Sequence, residues 1–226
     1  MNANVILICL LTLAFNVNAA SSTEVAINKA REQIALSPKQ AKLHIQLSEA
    51  LAKRGRETAN HDFYEQALQA ANTALEIAPN NVAASRAKIW ALLGKHEFSK
   101  AKSLADELNK RVPDDILTYA LLVDANVELG SYQQAEEAAQ WLLDMRPGSI
   151  AGLTRAAYLR ELYGDLEGSA LLLQQALEKT VDNDAEQQAW LLVHLGQIQM
   201  QLGHIDLAER ISQHALSIYP NYHYAL

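Results

Sequence analysis

The side chains best suited to bond-making chemistry in this chain do not gather. His194, His204 and His214 stand ten residues apart, which denies any two of them the i, i+4 spacing by which paired imidazoles on one helix grip zinc. That spacing predicts a first helix, a turn and a second helix, with histidines on the surface or in a groove rather than around a metal. Glu136 and Glu137 are adjacent; on a helix they diverge, and they form a solvated face rather than an acid/base pair. The glycines of residues 164–168 (GDLEG) mark a hairpin turn, and no Gly-x-Ser-x-Gly, phosphate loop or dinucleotide fingerprint occurs. The single cysteine, Cys9, lies inside an apolar run near the start, so the remainder carries no thiol for nucleophilic, redox or disulfide chemistry. The sequence thus predicts no catalytic residue, no metal and no cofactor.

Composition narrows the partners. Half of the residues are hydrophobic, 6 % are aromatic and the formal net charge is −7. No block of five like charges and no basic stripe occurs, which argues against nucleic acid or an anionic membrane surface as the main partner.

The elements that must position any functional side chain are repeated ones. In residues 116–147, Ile116, Tyr119, Leu122, Val123 and Val127 recur at helical spacing, as do Ala135, Ala138, Ala139, Leu142 and Leu143. Leu129-Gly130-Ser131-Tyr132 separates the two runs. Glycine supplies the positive φ that ends the first helix, and Pro147, lacking an N–H, stops the second. Such an αα-hairpin cannot cover its own apolar face, so neighbours of the same kind are required. They are present. Pro79, Pro113 and Pro147 are 34 residues apart, each followed by a turn-forming pair. Pro38 precedes Pro79 by 41 residues and Pro220 follows Pro147 by 73, which is the same period with seven and five residues added. The additions fall near residues 55–64 and 180–188 and are expected to be longer inter-helix loops, where length costs little.

A 34-residue helix-turn-helix period with this punctuation resembles the tetratricopeptide repeat family. The third repeat carries Tyr119, Gly130, Tyr132, Ala135 and Pro147 at the family's signature positions, and the fifth carries Leu195, Gly196, Gly203, Ala208, Ala215 and Pro220. The first supplies Leu47, Gly55, Tyr64, Ala67, Ala74 and Pro79, and the fourth Gly164, Leu166 and Ala176, with Ser169 at the usual small alanine. The second departs most, with Lys88 and Ile89 in place of Leu-Gly, but keeps Phe98, Ala101 and Pro113. The resemblance implies an all-α, right-handed superhelical solenoid. Its five repeats span 41–79, 82–113, 116–147, 150–180 and 189–220, preceded by a half-repeat capping helix in 20–40 and followed by a short tail, 221–226. The capping helix has Ser21, Ser22 or Thr23 at its N-cap and Val25, Ile27, Ala30, Ile34 and Leu36 on its expected buried face.

The resemblance also implies where binding occurs. First-helix positions line the concave surface in this family, and here they include Lys42, Gln46, Glu49, Arg86, Trp90, Asp124, Arg155, Tyr158, Trp190, His194 and Gln197. Aromatic and Arg side chains supply contact area, and Arg adds forked donors for a partner's carboxylate. Trp90 and Trp190 are equally suited to filling space between hairpins. The family's carboxylate clamp is not reproduced, since Ile45, Glu49 and Ala87 occupy matching positions.

The expected function is that of a non-catalytic scaffold or adaptor for a protein or extended peptide. The alternatives are an envelope hydrolase or sugar-processing enzyme with a helical-repeat body, and a purely structural subunit. The final helix and tail, with Leu207, Ile211, Leu216, Ile218, Tyr222, Tyr224 and Leu226 and no closing polar helix, leave two options: docking onto a second copy or a partner, or folding of the tail back over the helix.

Residues 1–19 contain no charged side chain and an apolar run ending near Phe15. As a helix that run reaches roughly 16 Å against a hydrocarbon core of about 30 Å, which favours a cleaved export signal over a spanning helix. A periplasmic or secreted chain with no transmembrane helix after cleavage is expected. N-terminal sequencing of the mature protein should begin within a few residues of Ala20; an intact Met1 in the membrane fraction would contradict this.

Overall fold

The computed structural model describes residues 21–180, 184–220 and 222–226. The export segment lies outside the described residues. Within them the chain is all-helical: α1 (Ser22–Leu36), α2 (Ala41–Thr58), α3 (Asp62–Ile77), α4 (Val82–Gly94), α5 (Phe98–Arg111), α6 (Ile116–Glu128), α7 (Tyr132–Met145), α8 (Ile150–Leu162), α9 (Leu166–Glu178), α10 (Ala185–Gln201) and α11 (Ile205–Ile218), then a 3-10 turn at His223–Ala225. Five hairpins, α2/α3 to α10/α11, stack in order, each second helix packing on the next first helix, while α1 covers α2.

The proline punctuation works through caps. Two residues after Pro79, Pro113 and Pro147 stand Asn81, Asp115 and Ser149, whose side chains accept from the backbone N–H of Ala84, Thr118 and Gly152. Each proline therefore stops one helix, and the residue two places on satisfies an orphan donor of the next. The turns of the last three hairpins place Gly130, Gly164 and Gly203 at positive φ, where a side chain would be strained. Ala59 and His96 take that conformation in the first two.

The core is a seam of small side chains. Ala67, Ala101, Ala135, Ser169 and Ala208 are equivalent residues and all are buried, so the helices of each hairpin approach closely. The residues Ala74, Leu108, Leu142, Ala176 and Ala215 form a second buried row. Ile89, which departs from the family pattern, is fully buried in the same core as Leu92, Ala101 and Leu108.

On α1 the N-cap is Ser21, which accepts from the Glu24 N–H. The buried face is Thr23, Ile27 and Ala30; Val25 and Leu36, expected on it, are exposed. They lie two and nine residues from Ile27, about half a circle around the helix at 100° per residue.

The added residues do not make longer loops alone. α4, α6 and α8 have 13 residues each, whereas α2 has 18 and α10 has 17. The extra length extends α2 at its C-terminal end and α10 at its N-terminal end, and the two extensions meet. Arg56 donates from Nε and Nη2 to the two carboxylate oxygens of Glu186, at 3.1 and 2.5 Å, and Lys53 pairs with Asp184 at 3.2 Å. The first and last hairpins are thereby joined.

The tail completes this junction. Tyr222 is fully buried, and its hydroxyl donates to Glu186 at 3.0 Å. Burial beside that carboxylate pushes the phenol far above its usual range, so it stays a donor. His223 Nδ1 donates to the Glu57 carbonyl at 2.9 Å. Glu57, itself buried, accepts from Thr23 of α1 and from Arg54. Burial, reinforced by Glu57, pushes the Tyr219 phenol up to about 12. The tail thus folds back over α10 and α11. Of the two options for this end, docking or folding back, the tail takes the second, with Tyr222 inside the molecule while Tyr224 and Leu226 stay exposed.

Replacing Glu186 with Ala strands a two-thirds buried guanidinium and the Tyr222 hydroxyl without their acceptor. A loss of about 2–3 kcal/mol is expected, discounted from the cost of breaking a fully buried pair because Arg56 is partly solvated. Glu186→Gln, which keeps an acceptor, should lose less. Denaturant unfolding measures both; a midpoint unchanged in Glu186→Ala would contradict the junction.

Candidate binding cavity

The joined ends turn the concave side of the solenoid into a central cavity of about 810 Å³. Its wall is built from the first helix of every hairpin at helical spacing: Glu49, Lys53 and Arg56 on α2, Arg86 and Trp90 on α4, Leu117, Leu121 and Asp124 on α6, Thr154, Tyr158 and Glu161 on α8, and Gln187, Trp190 and His194 on α10. Residues at i, i+4 and i+7 share one helical face, so each helix contributes a stripe. Leu117 and Tyr158 are exposed and lie at the open side.

Of the side chains expected in the groove, Arg86, Trp90, Asp124, Arg155, Tyr158, Trp190, His194 and Glu49 all reach this wall. Gln197, Lys42 and Gln46 are exposed and do not line it. The reason is the junction: it centres the cavity on the C-terminal half of α2 and the N-terminal half of α10, while Lys42, Gln46 and Gln197 lie toward the other ends of these helices. The tryptophans serve both expected roles. Each lines the cavity and also packs against buried residues between hairpins.

The arginines, expected as open forks for a partner's carboxylate, instead join neighbouring hairpins. Arg86 Nη1 contacts Asp115 at 2.6 Å, and Asp115 is also the N-cap of α6. Arg155 donates to Asp124 at 2.6 Å, to the Ala120 carbonyl at 2.9 Å and to the Ala151 carbonyl at 3.2 Å. Lys53 and Arg56 are held by Asp184 and Glu186 as above. Every cation of the wall is therefore engaged by this chain's own carboxylates.

The remaining polar groups set the chemistry. Glu49, exposed at the wall, makes no hydrogen bond or ion pair among the described residues; partial desolvation raises its carboxyl above the usual range, and the field of Arg86 draws it part of the way back. Among the described residues Glu161 accepts only an amide hydrogen from Gln201, at 2.8 Å. His194 donates from Nδ1 to the Trp190 carbonyl at 2.9 Å, with its ring 3.9 Å from that indole. Burial pushes its pKa below the ordinary imidazole value, so at neutral pH it is uncharged with an acceptor at Nε2. Tyr158 is raised by burial, then by Glu128 and Glu161. Ser169 Oγ is buried with no hydrogen-bond partner among the described residues. His204 Nδ1 bonds Gln199 at 2.8 Å, and His214 is exposed. Among the described residues no three His, Cys, Asp or Glu groups are placed to hold a metal, and no helix is long and apolar enough to cross a membrane.

Sequence reasoning missed Lys53, Arg56, Glu161 and Gln187 in the wall and Glu186 behind it. A signal existed for the first two: Glu49, Lys53 and Arg56 follow the same i, i+4, i+7 stripe as Leu117, Leu121 and Asp124. Assigning the region after Gly55 to a loop hid it.

Residues 191–222 match the tetratricopeptide repeat family model. No curated protein sequence matches the chain. Among solved structures, TTC0263, a thermophilic tetratricopeptide-repeat protein of Thermus thermophilus, superimposes with TM-score 0.64 at 19 % identity, over 77 % of this chain and 92 % of that one. A tetratricopeptide repeat protein of Parabacteroides merdae gives 0.71 at 15 % identity, over 90 % and 75 %. The human IFIT1 dimer with m7Gppp-AAAA gives 0.73 at 14 % identity, over 90 % of this chain but 47 % of that one. At these identities the likeness is one of fold.

Proposed function

Starting from the premise that this chain is a tetratricopeptide-repeat solenoid, we propose that it is a non-catalytic interaction module that receives an extended segment of another protein in its central cavity. The observation that carries this is the convergence of stripes from all five first helices, Trp90, Tyr158 and Trp190 among them, on one open space of about 810 Å³. That volume suits a few side chains of a peptide rather than a docked domain. Aromatic walls supply area at low entropic cost, and engaged arginines hold the wall in shape before a ligand arrives. The non-catalytic part of this reading is supported by the sequence, in which no linear catalytic motif occurs. Export to the cell envelope, periplasmic or secreted, belongs to the same proposal and is supported by the uncharged apolar start of the chain.

Panning a random dodecapeptide phage library on the purified protein tests it. Selected peptides should lose about tenfold in affinity on Tyr158→Ala or Trp190→Ala, the scale of a binding hot spot, and nothing on Glu137→Ala, an exposed second-helix position. No enrichment, or binders indifferent to the cavity substitutions, would overturn it.

A further inference from the structure

The wall carries four cations, Lys53, Arg56, Arg86 and Arg155, and four anions, Glu49, Asp124, Glu161 and Asp184. The cations are all paired, two of them with Asp184 and Asp124 and two with carboxylates behind the wall, Glu186 and Asp115. What is left over is therefore of one sign. Glu49 has no hydrogen bond or ion pair among the described residues, and Glu161 has a single neutral donor. An incoming carboxylate would have to displace one already bound to each arginine. An incoming cation would find two carboxylates without a direct ion pair among the described residues, Glu49 lying in the field of Arg86.

The apolar part of the wall fits the same ligand. Trp90, Tyr158 and Trp190 line the cavity, Trp190 with the His194 ring 3.9 Å away, and aromatic rings attract a guanidinium or ammonium, Trp most strongly. Leu117, Leu121 and Leu173 offer surface for the methylene stem of a long basic side chain. Glu49 is exposed at the cavity wall, so its carboxylate is open to an incoming cation.

Resting on the peptide-binding reading above, we propose that the segment this cavity selects carries a lysine or arginine side chain flanked by apolar residues, with its charged head received by Glu49 and Glu161. The preference is opposite to that of a groove that grips an acidic tail, and it follows from how the chain's own ion pairs are shared out.

The experiment is to sequence dodecapeptide pools selected on the wild-type protein, on Glu49→Gln and on Glu49→Lys, each first shown by circular dichroism to be folded. The wild-type pool should be enriched at least about threefold in Lys and Arg over Asp and Glu relative to the input library, the Glu49→Gln pool less, and the Glu49→Lys pool should reverse the preference. Replacing the basic residue of a selected peptide by norleucine should weaken wild-type binding about tenfold and Glu49→Gln binding by clearly less, since Glu161 remains. Cavity-dependent binders that are acidic or neutral, or a preference untouched by both Glu49 substitutions, would overturn the cation assignment while leaving the peptide-binding reading in place. A library that yields no cavity-dependent binder would overturn both.

Discussion

The contact between Arg56 and Glu186 decides what kind of solenoid this is. A stack of five hairpins held only by neighbour contacts has two free ends and an open concave side. Here a bidentate ion pair between the first and last hairpins, with the Tyr222 hydroxyl on the same carboxylate and Lys53–Asp184 beside it, joins those ends. Burying a charge pair is a weak source of net stability, because desolvation offsets most of the attraction. Its effect is specific: with Glu186 out of water and Arg56 largely so, any arrangement that separates them leaves a costly unpaired carboxylate. The cavity is a consequence of that choice of ends.

The same logic runs around the wall. Asp115 caps α6 and holds Arg86 of the preceding hairpin, so one carboxylate fixes a helix start and the angle between two repeats. Arg155 spans α6 and α8 through Asp124 and two carbonyls. These pairs leave the cavity's free polarity to Glu49, Glu161 and the neutral His194, and its area to aromatic rings.

Most of the fold was legible in the sequence because the repeat writes its rules locally. Proline two places before an Asn, Asp or Ser cap, glycine at a positive-φ turn and alanine at the helix crossing are each imposed by backbone sterics within one hairpin. The placement of Trp90, Tyr158 and Trp190 on the inner face came from the family resemblance, which left the two tryptophans equally suited to filling space between hairpins. What stayed hidden depends on contacts distant in the chain. Whether the residues after Gly55 extend a helix is settled by Glu186, 130 residues later in the chain, and a polar stretch gives no local sign of it. Arg86 and Arg155 looked like free donors because their acceptors lie in the adjacent repeat. Whether the tail docks elsewhere or folds back stayed open because the pocket for Tyr222 is made jointly by α10 and α11.

The distance between the joined ends tests this account most directly. With Cys9 the single native cysteine and located in the N-terminal apolar segment, spin labels on cysteines substituted at exposed Thr58 and Tyr224 report the junction by electron paramagnetic resonance. The account predicts one short, narrow distance in the wild-type background, broadened by Glu186→Ala. A long or broad distribution in the wild-type background would mean that the ends are free and the cavity is an open groove.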